Sequence, residues 1–150
     1  MDGKLELCRQ IVDDLDVLAE SMTDYARHPH HYGIDTPLYP KQIHLLAYIG
    51  QNPGCNLVAL SSLTGKTKGT ISLQLDRLIA LGLITKEKSA ESRREIVVSL
   101  TDKGKTACRF YEEIDHSFFS FLLDRIPDFT LEQMETISSF VKLMIAAYED

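Results

Sequence analysis

The side chains of this 150-residue chain that could do chemistry fall into two groups. One is cationic. Lys66, Lys68, Thr70, Ser72, Leu73 and Arg77 lie in one short stretch, and Lys86, Lys88, Arg93 and Arg94 follow it. Lysine and arginine hold phosphate or a guanine edge, hydroxyls serve either partner, and leucine packs on thymine methyls. Gly69 lets that stretch approach another backbone closely. For Arg77 the competing reading is an ion pair with Asp76 or Glu87, for Thr70 a bond back to its own helix, and for Lys86 and Lys88 a solvated strand.

The other group consists of imidazoles, carboxylates and thiols. His30, His31, His44, Glu112 and His116 are donors suited to zinc or a similar divalent metal. Glu112 and His116 stand four apart and share a helix face. The histidines otherwise keep no fixed spacing, which reads as the surface of a polar loop. Cys8, Cys55 and Cys108 are widely separated and odd in number, against a disulfide framework or a CxxC zinc site. Near a helix start Cys8 would gain thiolate character. Its place on an apolar stripe with Leu5 and Val12 reads instead as a buried, structural cysteine. Serine, histidine and aspartate are all present, but no nucleophile sits in a strained-turn motif and no phosphate loop is visible, so the chain does not read as an enzyme.

The cationic residues need a scaffold, and their neighbours supply one. Ile71, Leu75, Leu78 and Leu81 recur at helical spacing, so Lys66 to Leu81 reads as a helix with one buried stripe. Thr67 is its cap and Gly82 its end. Asn56 to Gly65 reads as a shorter helix before it, with Leu57, Leu60 and Leu63 facing inward. Leu83 to Leu100 reads as a hairpin with a polar tip that ends in two arginines. Leu5 to about Arg27 is an amphipathic helix with Cys8, Val12, Leu15, Leu18 and Met22 on its stripe. A linker rich in His, Pro and Tyr follows, and Pro40 opens a helix over Lys41 to Gln51 whose inward face is Ile43, Leu46, Ala47 and Gly50. After the hairpin, Thr101 caps a long helix to about Arg125, and Thr130 to Gln133 form a capping box for the last one.

The length bounds one domain with a real core. No apolar run is long enough to span a bilayer and the first residues have no secretory pattern, so a cytoplasmic protein is expected. A net charge of −6 is unusual for a binder of nucleic acid. Its distribution removes the objection: between Lys66 and Lys105, nine Lys and Arg stand against five Asp and Glu. A basic reading surface on an acidic body attracts phosphate locally.

Helix, turn, helix and basic-tipped hairpin make a winged helix. The order of elements, the LGLI turn at Leu81 to Ile84, the paired Arg93-Arg94 and the LTDKGK at Leu100 to Lys105 resemble the MarR family of bacterial regulators. The strongest matches run from about Leu38 to Lys105. The resemblance implies a mainly α fold with a small β-hairpin wing, in one domain. Residues 39–101 would be the DNA-binding lobe, and 1–38 with 102–150 the dimerisation helices and linker. It implies a homodimeric regulator, in most cases a repressor, on a pseudo-palindromic operator in double-stranded DNA. Arg94 matches the wing arginine that the family places in the minor groove. Ser92 stands where the family usually has an aspartate that orders the wing, with Glu91 beside it as a substitute.

The first linker, the second helix and the fifth helix would meet at the family's usual effector pocket. A small aromatic ligand lined by Tyr32, Tyr39, Phe110 and Tyr111, a divalent metal on the histidines, or an oxidant at Cys8 are the readings left open. His44 falls where a zinc-sensing branch has a ligand, while the matching positions on the fifth helix miss by one residue. A winged helix used only as a protein adaptor is the remaining alternative. Unpaired apolar faces on the first and last two helices point to a second copy of the chain as partner.

Overall fold

The computed structural model describes residues 2–149. Among these, the order is α1 (Asp2–Arg27), α2 (Pro40–Gln51), α3 (Leu57–Thr64), α4 (Lys68–Ala80), β1 (Ile84–Lys88), β2 (Ile96–Leu100), α5 (Asp102–Leu123) and α6 (Leu131–Glu149). This is the mainly helical winged fold expected, with a two-stranded antiparallel hairpin in which Ile84 faces Leu100 and Lys88 faces Ile96. The chain forms two compact units, Met1–Glu112 and Glu113–Asp150.

The helix ends follow from local chemistry. The Asn56 side chain accepts a bond from the Ala59 N–H at 2.8 Å and so caps α3. Gly65, at φ +67°, closes α3 in the left-handed region. Thr67 caps α4 by accepting from the Thr70 N–H at 3.2 Å. Between these helices Ser61 Oγ donates to the Lys66 carbonyl at 2.6 Å and fixes the turn. The capping box of α6 is complete: Gln133 N–H donates to Thr130 Oγ1 at 3.2 Å, and Thr130 N–H to Gln133 Oε1 at 2.8 Å.

The core of the first unit is built from Leu38, Ile43, Leu46, Leu60, Ile71, Leu75, Leu78, Leu83, Ile84 and Val98, with Ala107 and Cys108 from α5. Of the stripe expected on α4, Ile71, Leu75 and Leu78 are buried, while Leu81 is half-buried at the C-cap, just past the helix end. The second helix differs: Leu45 and Ile49 are buried as well as Ile43 and Leu46, Ala47 is half-buried and Gly50 is exposed. A helix enclosed by α3, α4 and β2 buries more than one face. On α3 only Leu60 is fully buried, and Leu63, expected inward, is 46% exposed. Such a short helix presents little more than one side to its neighbours.

The LTDKGK segment has a close-packing reason. A Cβ at Gly104 would lie 2.1 Å from the Leu83 carbonyl oxygen, so only glycine lets α5 begin against the turn that precedes β1. Thr101 completes the joint. Its N–H donates to the Leu83 carbonyl at 3.0 Å, and its hydroxyl donates to the Gly82 carbonyl at 2.7 Å while accepting from the Gly104 N–H at 3.1 Å. Lys103 ties the same turn to the first linker through Asp35, at 2.9 Å, and Thr36, at 3.1 Å. Hydrogen bonding from the Lys103 ammonium, then from the Thr36 hydroxyl, holds the exposed Asp35 carboxyl below its usual range.

The long stripe of α1 is covered only in part in the single chain, with Val12 and Leu15 half-buried. Leu5, Leu18 and Met22 are exposed, and Cys8 is exposed with them, contrary to the expected buried thiol. Cys55 and Cys108 are the buried cysteines. In the second unit Phe118, Phe119, Phe121, Leu123, Leu131, Ile137 and Leu143 are also exposed. No helix among the described residues is long and apolar enough to cross a membrane.

Candidate nucleic-acid interface

With Ile71, Leu75 and Leu78 buried, the opposite side of α4 is left outward. It carries Lys68, Gly69, Thr70, Leu73, Asp76 and Arg77, all exposed, with Ser72 half-buried. Leu73 is 57% exposed, an apolar side chain in the middle of a polar face. An apolar side chain at that position is available to pack on an apolar group such as a thymine methyl. The Thr70 hydroxyl lies 2.9 Å from the Thr67 hydroxyl, so its local bond goes to the cap rather than to the preceding turn.

The alternatives weighed for the cations separate here. Asp76, a candidate partner of Arg77, is held instead by Lys86 Nζ at 2.9 Å. Lys86 thus braces β1 against α4, and its ammonium is partly neutralised before any ligand arrives. Among the described residues Lys66, Lys68, Arg77, Lys88, Arg93 and Arg94 make no ion pair. Six cations without internal partners, on one helix start, one helix face and one hairpin, form an anion-attracting surface. The start of α4 adds its free N–H groups and the positive end of the helix dipole.

The wing tip is polar throughout, and every residue from Glu91 to Ile96 is exposed. Its order does not depend on the side chain of Ser92. The Glu91 N–H donates to Ser89 Oγ at 3.2 Å, the Ser89 N–H to the Glu95 carbonyl at 2.8 Å, and the Glu95 N–H to the Ser92 carbonyl at 3.1 Å. The wing foot is attached to the entry of α3: the Val98 N–H donates to the Cys55 carbonyl at 3.0 Å, Asn56 bridges Val97, and Asn56 Nδ2 donates to the Glu95 carboxylate. Sequence reasoning missed this attachment, because Asn56 and Glu95 are far apart in the chain and each reads locally as a cap and a loop charge.

The candidate effector residues are only partly brought together. Tyr32 meets Tyr111 edge-on at 6.1 Å between ring centroids, and His44 lies 5.6 Å from Tyr111, so linker, α2 and α5 do converge. Tyr32 is buried in the core, and burial pushes its hydroxyl pKa well above the ordinary value. Tyr39 and Phe110 are exposed. His30 stacks on Tyr25 at 4.0 Å and shares a bond with the Tyr25 carbonyl at 3.0 Å, while His31 is exposed. Among the described residues no three His, Cys, Asp or Glu side chains are grouped to hold a metal ion. A separate concavity of about 530 Å³ is lined by Gly50, Leu100, Lys105, Cys108, Arg109 and Glu112. Burial, followed by the nearby Glu112 charge, raises the Cys108 thiol to about 11.

Comparison with known proteins places this geometry. Residues 33–95 match the family model described as MarR family. The Bacillus subtilis (strain 168) protein YvnA, an uncharacterized HTH-type transcriptional regulator, is 23% identical over 116 residues, or 77% of this chain and 74% of that protein. FabT of Streptococcus pneumoniae, solved in complex with DNA, superposes with a TM-score of 0.71 at 19% identity, covering 95% of this chain and 97% of FabT. ZitR of Lactococcus lactis, a zinc-responsive MarR family member, superposes with a TM-score of 0.73 at 17% identity, covering 95% of this chain and 99% of ZitR. At these identities the likeness to the solved structures is one of fold.

Proposed function

We propose that this chain, whose residues 33–95 match the MarR family model, is a sequence-specific DNA-binding transcriptional regulator that acts as a homodimer. The observation that carries the reading is the outward face of α4, where unpaired Lys68 and Arg77 flank the exposed Leu73 beside the unpaired Arg93 and Arg94 of the wing. In this reading α4 enters the major groove, Leu73 packs on thymine methyls, and Arg94 reaches the adjacent minor groove. Lys66 and Lys88 meet phosphate, and Lys86 serves chiefly to brace the hairpin. Residues 39–101 form the reading lobe, and α1, α5 and α6 supply the dimer contacts. The regulator works inside the cell and represses by occupying a pseudo-palindromic operator.

Its effector is a small aromatic or other organic molecule. The meeting of Tyr32, His44 and Tyr111 supports that reading over a metal, for which the described residues gather no donor set. The test is selection from a random pool of duplexes, followed by footprinting. Two half-sites about 10 base pairs apart on one face of the duplex are expected. An enriched sequence without two-fold symmetry, or no enrichment, would contradict the proposal. Affinity for the selected duplex should respond to small aromatic acids and not to the exchange of excess zinc for chelator.

A further inference from the structure

We infer that Asn56 and Glu95 form a tether that sets the angle of the wing, which makes Asn56 a positioning residue for DNA reading; the inference rests on the DNA-binding role proposed above. A carboxamide has one accepting end and one donating end. At Asn56 both are used: Oδ1 accepts from the Ala59 N–H at 2.8 Å, and Nδ2 donates to the Glu95 carboxylate. The opposite orientation of the amide would face oxygen with oxygen and N–H with N–H, so the two contacts fix it together. Glu95 is the joint of the wing. Its carbonyl accepts from Ser89 and its N–H donates to Ser92, which closes the tip, and the next residue begins β2.

The tip carries no apolar anchor, since every residue from Glu91 to Ile96 is exposed. Its direction therefore depends on its foot. On the β2 side the foot is fixed by the Val98–Cys55 backbone bond, the Asn56–Val97 bridge and the Asn56–Glu95 contact, while Lys86–Asp76 braces β1. Asn56 also caps α3, which packs on α4. One side chain thus refers the arginine-bearing wing to the same frame as the reading helix. Arg94 is the immediate neighbour of Glu95, so a loosened joint swings its guanidinium first.

Charge gives the test its sign. Glu95→Ala removes a negative charge next to Arg94, and electrostatics alone would tighten DNA binding. Loss of the tether would weaken it, by about fivefold for an exposed charged hydrogen bond. Asn56→Asp keeps the cap but sets a second carboxylate against Glu95, and a loss of about tenfold is expected. Adding Glu95→Gln to Asn56→Asp restores donor to acceptor at the wild-type net charge and should bring affinity back to within about twofold. The probe is the duplex that the wild type selects from a random pool, with affinity measured by anisotropy. Far-UV circular dichroism confirms folding, and Glu95→Ala, at an exposed position, keeps the test open if an Asn56 variant misfolds. The Arg94→Ala penalty should shrink in the Glu95→Ala background. Glu95→Ala binding as tightly as wild type or tighter, or the double variant binding no better than Asn56→Asp, would overturn the tether. If the wild type enriches no duplex, the DNA-reading proposal itself fails and the tether falls with it.

Discussion

Arg93 and Arg94 are adjacent guanidiniums on an exposed loop, and among the described residues neither makes an ion pair that would hold the fold together. Arg94→Ala is therefore expected to leave the thermal midpoint unchanged and to weaken DNA binding. If Arg94 enters the minor groove, the loss will be largest on duplexes with A·T flanks, where the groove is narrow and most negative. If it meets only phosphate, the loss will be even across sequences and the salt slope will fall by about 1. The thiols give a second prediction at this scale. At mild alkaline pH, iodoacetamide should label the exposed Cys8 first, and Cys55 and Cys108 only on unfolding. Since the folded Cys108 thiol stands at about 11 against an ordinary 9.0, its contribution to stability is full below pH 9 and is lost as pH rises toward 11. A thermal midpoint that falls over that window, and falls less in Cys108→Ser, checks the sign. The cationic residues were legible one by one in the sequence, because free lysines and arginines on a short helix and a loop tip need no distant partner. Cys8 was misread for the converse reason: whether a stripe is covered depends on contacts distant in sequence, and Cys8 is exposed on the single chain.

At the scale of elements, helix ends were the most legible feature. Asn56, Thr67 and Thr130 cap α3, α4 and α6 as expected, since a cap is satisfied within its own first turn. Inward faces were less legible. Leu45 and Ile49 on α2 are buried by elements distant in sequence, and Leu63 on α3 is left outside. Lys86 read as a solvated or phosphate-binding lysine, yet it reaches across to Asp76, a contact that only the packing of β1 on α4 creates. The joint between the hairpin and α5 carries the element-scale prediction. A Cβ at Gly104 would lie 2.1 Å from the Leu83 carbonyl oxygen, so Gly104→Ala must push α5 off the turn before β1. Overpacking of this kind costs about 1–3 kcal/mol, measurable as a lowered urea midpoint. A variant as stable as wild type would show that α5 can shift freely there.

At the scale of the molecule, the apolar residues left uncovered on α1, α5 and α6 are the basis of the proposed dimer. Leu18, Met22, Phe118, Phe119, Ile137 and Leu143 are all exposed on the single chain, and monomers rarely present so much apolar surface. Surplus apolar faces were visible in the sequence as helices with more than one stripe. We expect light scattering to give a dimer at micromolar concentration, and Ile137→Glu, which would place a charge in the shared interface, to shift it toward monomer and to weaken binding to a two-half-site duplex. A wild-type monomer that binds DNA one to one would remove the dimer from the account. Binding of duplex DNA by the basic face of α4 and the wing is tested most directly by an anisotropy titration against salt. Wild-type affinity should fall linearly on logarithmic axes, with a slope of about −0.9 for each phosphate neutralised. The Lys68→Ala/Arg77→Ala/Arg94→Ala variant should bind more weakly with a shallower slope. An affinity indifferent to salt, or a triple variant that binds as tightly as wild type, would contradict it.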